Sequence, residues 1–178
     1  MSCVDSISLR ILTPEDFEIF RSVRLKALAD NMDFFRGNLE ANIERPDSDW
    51  QNILDGNDQQ ILGLFDSGYL IGISGVFTWD EDSSGETGIL AMSYIDPAYR
   101  RRNYSSLFFK ARIDFAVKHL PWNCLAVTHR RGNESARHAI LRHGFTLFKT
   151  RQTDWSDGTR DKEYMYLMDL ESLRDNMS

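Results

Sequence analysis

Apolar and polar residues alternate in some segments of the chain and recur at helical spacing in others. Residues 6–12 alternate and predict a β-strand, because successive side chains of a strand point to opposite faces of a sheet. Apolar segments bounded by turn residues predict further strands. These segments span residues 59–65, 70–79, 87–95, 124–128, 145–151 and 164–170.

Helical spacing predicts helices between these strands. Thr13 followed by Pro14 and two acids is typical of a helix start, and a helix is expected to about Ala29. Its apolar stripe is Phe17, Phe20, Val23, Leu25, Ala27 and Leu28. Further helices are expected over 105–119, where Leu107, Phe108, Ala111, Phe115 and Ala116 recur at helical spacing, and over 133–143, which Gly144 ends.

Two segments complete the pattern. Asp47 or Ser48 is expected to cap a short helix over 47–54, whereas residues 31–46 have little clear period. The turn Asp66-Ser67-Gly68-Tyr69 predicts a tight hairpin between two antiparallel strands. With no linker, repeat or low-complexity tract, residues 1–178 are interpreted as one mixed α/β domain.

Composition narrows the class of partners. A net charge of -6 and a pI of about 5.2 argue against general binding to nucleic acid or anionic lipid. No apolar run approaches membrane-spanning length, so we expect a soluble, cytoplasmic protein with no membrane partner. The two cysteines, Cys3 and Cys124, form neither a disulfide framework nor a zinc site and are expected to be free thiols. No bound metal is expected.

Residues 92–106 carry the most informative chemistry in the chain. An apolar strand runs through a proline turn into three arginines, Arg100 to Arg102, that open a helical segment. Amide N–H groups of a helix start, its dipole and nearby guanidinium groups together hold phosphate or pyrophosphate. Asn103 and Ser105 stand where a backbone that wraps phosphate usually has glycine.

Two separated signatures resemble the GCN5-related N-acetyltransferase (GNAT) family, and the resemblance covers about residues 6–170. The first is a strand, then Pro-x-Tyr-Arg, then a [Gln/Arg]-x-x-Gly-x-[Gly/Ala] loop and a helix. Here it reads Ile95-Asp96-Pro97-Ala98-Tyr99, then Arg100-Arg101-Arg102-Asn103-Tyr104-Ser105. The second is Asn-x-x-Ala followed eight residues later by Gly-Phe, here Asn133-Glu134-Ser135-Ala136 and Gly144-Phe145.

The resemblance implies the GNAT fold and acetyl-coenzyme A (acetyl-CoA) as cosubstrate. That fold has a mixed central sheet of about six to seven strands flanked by helices. In the family, two strands beside the cofactor splay apart after a bulge in the first, so unpaired backbone groups near 92–94 can bond the pantetheine amides. The residues implied to bind the cofactor are Ser93, Tyr94, Ile95, Arg100, Arg101, Arg102, Asn103, Tyr104, Ser105, Ser106 and Asn133.

The chain departs from the family pattern at three positions. Asn103 and Ser105 replace glycine and glycine or alanine, although asparagine tolerates positive φ well and serine can add a hydroxyl donor. Many relatives have a tyrosine that reprotonates the leaving thiolate, where this chain has Ile140. His138 and His143 lie on other faces of that helix.

Acetyl transfer to an amine needs a positioned neutral nucleophile, donors for the developing oxyanion, and a route for protons. Direct attack in a ternary complex is expected. Glu86 and Tyr94 are the candidates for base and acid, and His129 is a third candidate. Water or bulk solvent can also carry either proton.

The sequence therefore favours an acetyl-CoA-dependent N-acetyltransferase that acts on a small primary amine or an amino-acid-like acceptor. A catalytically silent module that binds CoA as a sensor or assembly partner is the alternative from another class. Protein N-terminal acetylation is an alternative within the same chemistry. Nucleic-acid binding through the arginines is disfavoured by the overall charge, and a homodimer is compatible with the family although the pattern identifies no interface.

Overall fold

A computed structural model of the chain describes residues 6–177 and contains one mixed seven-stranded sheet. The strand order is β1-β2-β3-β4-β5-β7-β6. The strands are β1 (Ile7–Ile11), β2 (Gln59–Asp66), β3 (Tyr69–Thr78), β4 (Thr87–Ile95), β5 (Cys124–Arg130), β6 (Thr146–Asp154) and β7 (Arg160–Asp169). This architecture confirms the α/β fold class predicted from the sequence.

Six helices flank the sheet within residues 6–177, and they are α1 (Phe17–Asp30), α2 (Leu39–Ile43), α3 (Asp47–Leu54), α4 (Tyr104–Lys118), α5 (Glu134–Arg142) and α6 (Leu170–Met177). A 3-10 turn at Pro14–Asp16 precedes α1, with a capping box between Thr13 and Asp16. The sequence pattern did not predict α2 or α6. A five-residue helix such as α2 is too short to display a period, and Asn38 caps it.

Two details of the predicted helices are wrong. Pro46 takes the N-cap position of α3, and Asp47 is its first helical residue, so neither Asp47 nor Ser48 caps it. The ring of Pro46 restricts φ to a value compatible with the extended N-cap conformation, and its side chain makes no capping hydrogen bond. Leu107, expected on the apolar stripe of α4, is 40% exposed.

The helices cover both faces of the sheet. On one face, Phe20 of α1 and Trp50 of α3 pack edge to face with ring centroids 5.6 Å apart. On the other face, α4, α5 and α6 bury apolar residues against β4, β5 and β7. Trp122, fully buried, packs at the end of α4, and its Nε1 donates to Thr78 Oγ1 at 3.1 Å. The site described below lies between these layers.

Ser67 and Gly68, both at positive φ, form the turn between β2 and β3 that the sequence predicts. Cys124 is a free thiol, whereas Cys3 lies outside the described residues. No helix within residues 6–177 is both long enough and apolar enough to cross a membrane.

Candidate active site

The centre of the sheet opens between β4 and β5. These two parallel strands pair from Thr87 opposite Cys124 to Leu90 opposite Val127, and in the described chain the pairing stops there. Met92 has φ of +58°, and the β3–β4 register shifts between Ile73 and Gly75. The outer half of β4 is therefore bent away from β5 and has backbone groups free of that ladder.

The loop between β4 and α4 adopts the conformation that glycine usually supplies. Arg101 has φ of +64° and Asn103 has φ of +61°, both in the left-handed region. The Asn103 side chain makes no capping bond to the backbone of α4, and its Oδ1 instead accepts from Ser106 Oγ at 2.8 Å and from Arg142 Nη2 at 3.1 Å. The first amides of α4 are thus available to an anion.

The three arginines before α4 have different roles. Arg100 Nε donates to the Ile95 carbonyl at 2.8 Å, and its guanidinium lies over the Tyr94 ring. The Arg102 guanidinium lies 5.4 Å from the centroid of the Tyr99 ring, and the Arg101 side chain is exposed. Helix α4 begins at Tyr104, one residue before the expected start, so all three arginines lie in the loop before it. A fourth guanidinium reaches the loop from α5, where Arg142 Nη2 donates to Asn103 Oδ1 at 3.1 Å and to Ser106 Oγ at 3.3 Å.

Neither departure from glycine blocks the loop. Asn103 takes the positive φ itself, as asparagine does more readily than other non-glycine residues. Ser105 is the second residue of α4, where its backbone is helical and needs no glycine. Tyr104, Ser105 and Ser106 together form the first turn of the helix.

Asn103→Gly is expected to leave CoA affinity within about threefold of wild type, because glycine adopts positive φ without strain. Asn103→Val is expected to weaken CoA binding by about tenfold or more, because a β-branched residue is strained at this φ by about 1–3 kcal/mol. Calorimetric titration with CoA measures both. Equal affinity for the two variants would show that positive φ at residue 103 is not needed for binding.

Tyr94 lies in the outer half of β4 and faces α1. Its side chain is 4% exposed, and its hydroxyl donates to Asp30 Oδ2 at 2.8 Å. Burial, and then the bond to Asp30, raise the pKa of Tyr94 well above its ordinary value. The hydroxyl therefore stays protonated and is a weak acid.

His129 lies near the end of β5 on the opposite face of the sheet. Its ring stacks on Tyr164 and Tyr166, and Nε2 shares a 3.0 Å hydrogen bond with the Tyr166 hydroxyl. Nδ1 contacts the Arg130 carbonyl at 2.8 Å. Burial lowers the pKa of His129.

Glu86 immediately precedes β4, at the end where β4 and β5 are paired. Its carbonyl accepts from the Asn123 amide at 2.7 Å, and its side chain is exposed. Met92 lies six positions further along the strand, which is roughly 20 Å at about 3.3 Å per residue. The structure does not bring Glu86, Tyr94 and His129 together.

Helix α5 carries the second sequence signature. Asn133 is its N-cap, and Oδ1 accepts from the Ala136 amide at 3.1 Å, which leaves the Nδ2 donor for a ligand. Ile140 is 2% exposed and packs in the core, so it offers no hydroxyl to the gap. His143 stacks on Phe109 with ring centroids 4.3 Å apart.

A groove lies beside the bulge, on the face covered by α1 and α3. Its volume is about 550 Å³, within the range of small-molecule sites. Its lining residues are Asp58, Gln59, Phe77, Thr78, Asp80, Ile89, Ala91 and Met92. The lining is largely apolar but includes two carboxylates, and it also includes the bulge residue Met92.

A charged cluster that no local sequence pattern indicates joins the loops around the groove. Glu163, fully buried, accepts through Oε2 from Arg36 and Arg151. Both arginines also bond Glu81, whose pKa is lowered chiefly by Arg151. The cluster joins the α1–α2 segment, the β3–β4 loop and the β6–β7 hairpin, while Asp80, next to Glu81, faces the groove.

Arg112 is a second buried charged residue that the sequence pattern did not indicate. It lies in α4 and is 1% exposed, and burial lowers its pKa. Its position four residues after Phe108, on the buried face of the helix, is the signal that could have identified it.

The structure places a bent strand beside a helix start that has no side-chain cap and is preceded by arginines, which is the arrangement expected from the two sequence signatures. The sequence matches the model of the Acetyltransferase (GNAT) family over residues 26–145, well over half of the chain. The chain therefore belongs to that family. No curated protein matches the sequence significantly.

Solved structures share the fold at low sequence identity. An acetyltransferase of the GNAT family from Streptococcus pneumoniae superposes with a TM-score of 0.79 at 19% identity, covering 91% of this chain and 98% of that chain. A Salmonella typhimurium protein determined with its cofactor acetyl-CoA gives 0.76 at 12%, covering 92% and 94%. The ribosomal-protein-S5-alanine acetyltransferase from Vibrio fischeri gives 0.77 at 11%, covering 94% of each chain.

The residues present fit acetyl-CoA as cosubstrate. The positive-φ loop and the uncapped start of α4 suit its pyrophosphate, and the outer half of β4, free of β5, suits the amides of its pantetheine arm. When bound, acetyl-CoA supplies an activated acetyl thioester.

Proposed function

We propose that the chain transfers the acetyl group of acetyl-CoA to the primary amine of a small, positively charged acceptor by direct attack in a ternary complex. The observation that carries this proposal is the groove, whose lining includes Met92 on the bulge. An acceptor in the groove would meet the gap between β4 and β5 from the α1 side.

The reaction balances without a further reactant. The neutral amine nitrogen bonds to the thioester carbonyl carbon, the carbon–sulfur bond breaks, and CoA leaves as a thiolate. The nitrogen loses one proton and the thiolate gains one. What the protein contributes is orientation of the two reactants and donors for the charge that develops on the carbonyl oxygen. Backbone groups at Met92 and Ser93, outside the regular ladder, are suited to the second task.

Water carries both protons in this proposal. Tyr94 flanks the gap, but its pKa is raised and its hydroxyl already donates a hydrogen bond to Asp30. The His129 side chain lies on the other face of the sheet, and Glu86 lies at the end of β4 that is paired with β5. Tyr94→Phe tests the alternative: a loss in kcat of about a hundredfold, the size expected for a lost general acid, would make Tyr94 the acid.

The charge of the groove supports a cationic acceptor. Asp58 and Asp80 contribute to its lining, and the described lining contains no lysine, arginine or histidine. Within residues 6–177, Asp58 forms an ion pair only with His119, at 3.5 Å, and its side chain is 75% exposed. A carboxylate on the acceptor would be repelled, whereas a second ammonium group would be attracted.

Three amines of equal chain length test whether the groove prefers an acceptor with a second ammonium group, with no second charge or with a carboxylate. We expect kcat/KM for hexanediamine to exceed that for hexylamine by about fivefold, because each exposed ion pair contributes about 0.2–1 kcal/mol. Aminohexanoate should be the poorest of the three. Release of free CoA thiol measures all three, and a preference for aminohexanoate would contradict the cationic assignment.

The double variant Asp58→Asn/Asp80→Asn should remove the preference for hexanediamine while leaving kcat/KM for hexylamine within about twofold. Asp154→Asn is the matched control, since Asp154 is exposed on β6 away from the groove. If hexanediamine keeps its advantage in the double variant, the two carboxylates do not select the acceptor.

Ile140 favours the second candidate, a silent module that binds CoA. Its buried apolar side chain removes the hydroxyl that protonates the thiolate in many relatives. Tight acetyl-CoA binding without thiol release across the amine panel would support this candidate. A peptide beginning with alanine belongs in the same panel, because the Vibrio fischeri protein of this fold is an S5-alanine acetyltransferase.

A further inference from the structure

Arg112 carries a buried positive charge without a carboxylate partner in the described chain. Its side chain lies between α4 and the sheet, with the guanidinium 5.0 Å from the centroid of the Phe109 ring. Nε donates to the Phe108 carbonyl at 3.2 Å, and Nη1 donates to Gly75 O at 3.4 Å and to Ser93 Oγ at 3.0 Å. A buried cation with only neutral acceptors is costly, so its retention calls for a specific role.

The acceptors of Arg112 surround the bulge of β4. Ser93 follows the bulge residue Met92, and Gly75 follows the register shift on β3. Ser74, fully buried, lies within 2.7 Å of Ser93 through their hydroxyl oxygens. Arg112 therefore bonds both strands where the ladder is irregular.

The same residue connects the two ends of the proposed cofactor site. Helix α4 begins with the loop that suits pyrophosphate, and Arg112 lies about two turns further along that helix. Ser93 connects the helix to the bent strand β4 that would face the thioester, and Gly75 connects it to the neighbouring strand β3. A shift of the bulge relative to the helix would separate the acetyl group from the donors meant for it.

We propose that Arg112 is a positioning residue for acetyl transfer, which fixes the β4 bulge through Ser93 and Gly75 and directs positive potential toward the oxygen of the thioester carbonyl. Negative charge grows on that oxygen as the amine bonds to the carbonyl carbon and recedes as the carbon–sulfur bond breaks. A fixed charge in a water-poor layer favours that change more strongly than one in solvent. The proposal rests on acetyl-CoA being the cosubstrate, as in the proposed function.

The carbonyl stretch of bound acetyl-CoA tests the proposal without any acceptor. Acetyl-CoA labelled with carbon-13 at the carbonyl is bound to wild type and to Arg112→Met, and the infrared difference band is recorded. Positive potential polarises the carbonyl, so the wild-type band should lie at lower wavenumber than the band of Arg112→Met. Ser93→Ala, which removes one acceptor of Arg112, should give an intermediate band and serves if Arg112→Met does not fold. Ser8→Ala on β1 is the control.

Kinetics provide a second measure with an active acceptor. Arg112→Met should lower kcat by about tenfold while KM for acetyl-CoA stays within about threefold, since the loop itself is unchanged. Arg112→Lys should recover kcat at low pH and lose it as pH rises, because burial lowers the pKa of a lysine and only the charged form acts.

The outcomes separate the two proposals. Equal band positions in wild type, Arg112→Met and Ser93→Ala, with acetyl-CoA bound in each, would overturn the role of Arg112 and leave the proposed function standing. Absence of acetyl-CoA binding to the wild-type protein would overturn both. A band that moves as expected, without turnover of any amine, would support Arg112 and contradict the proposed transfer reaction.

Discussion

Ser105→Asp is expected to reduce CoA affinity by at least about a hundredfold without destabilising the fold. Ser105 is the second residue of α4, next to the amides proposed to hold the pyrophosphate. An aspartate there places a negative charge against a negatively charged ligand, and loss of about 3 kcal/mol of binding free energy corresponds to roughly a hundredfold. The same aspartate interacts favourably with the positive end of the helix dipole, so the stability of α4 should not decrease.

Ser48→Asp is the matched control for this variant. Ser48 is the exposed second residue of α3, so the helix-dipole effect is the same but the loop before α4 is untouched. Titration calorimetry gives the CoA affinity of both, and thermal unfolding gives their stability. Equal CoA affinity in Ser105→Asp and Ser48→Asp would show that the pyrophosphate does not lie at the start of α4.

Trp122→Ala is expected to lower the free energy of unfolding by about 3–5 kcal/mol, a large part of the stability of a typical domain. The Trp122 ring is fully buried and contacts the rings of His119 and Phe115. It also packs directly against Gly88, where the Cβ of any larger residue would come within 2.6 Å of the ring. Gly88 belongs to the paired half of β4, which closes the narrow end of the gap. Loss of the ring should therefore also loosen that pairing.

Denaturant unfolding measures this loss, with Leu120→Ala as the control. Leu120 is two residues away but 74% exposed, so its truncation should change stability by less than about 0.5 kcal/mol. Thr78→Val removes only the bond from Trp122 Nε1 and should cost about 1 kcal/mol. A loss below about 1 kcal/mol in Trp122→Ala would mean that the ring does not anchor the paired strands.

The elements predicted from the sequence are those with a strong local signal. The β2–β3 hairpin has a serine–glycine turn that takes positive φ, and α5 has both an asparagine cap and Gly144 at positive φ after its end. Helix α6 was not predicted, because its apolar face is recognised only once α4 packs against it. Local pattern therefore accounts for the topology better than for the short helices.

The candidate site divides in the same way. Asn103 was identified because the loop signature is contiguous, and its tolerance of positive φ follows from residue chemistry. The pairing of Arg36 with Glu163 joins residues 127 positions apart, which no local pattern indicates. Arg112 was not predicted to be buried, because the buried face of a helix is identified from its apolar residues. A long arginine side chain can nevertheless be buried when its guanidinium has hydrogen-bond acceptors.

Transfer of a labelled acetyl group from acetyl-CoA to hexanediamine is the most direct test of the proposed function. We expect acetylated diamine and free CoA to form in equal amounts, at a rate well above the blank and reduced by Ser105→Asp but not by Ser48→Asp. Acetyl-CoA that binds the protein yet yields no acetylated product with hexanediamine, hexylamine, aminohexanoate or an alanine-initiated peptide would contradict it.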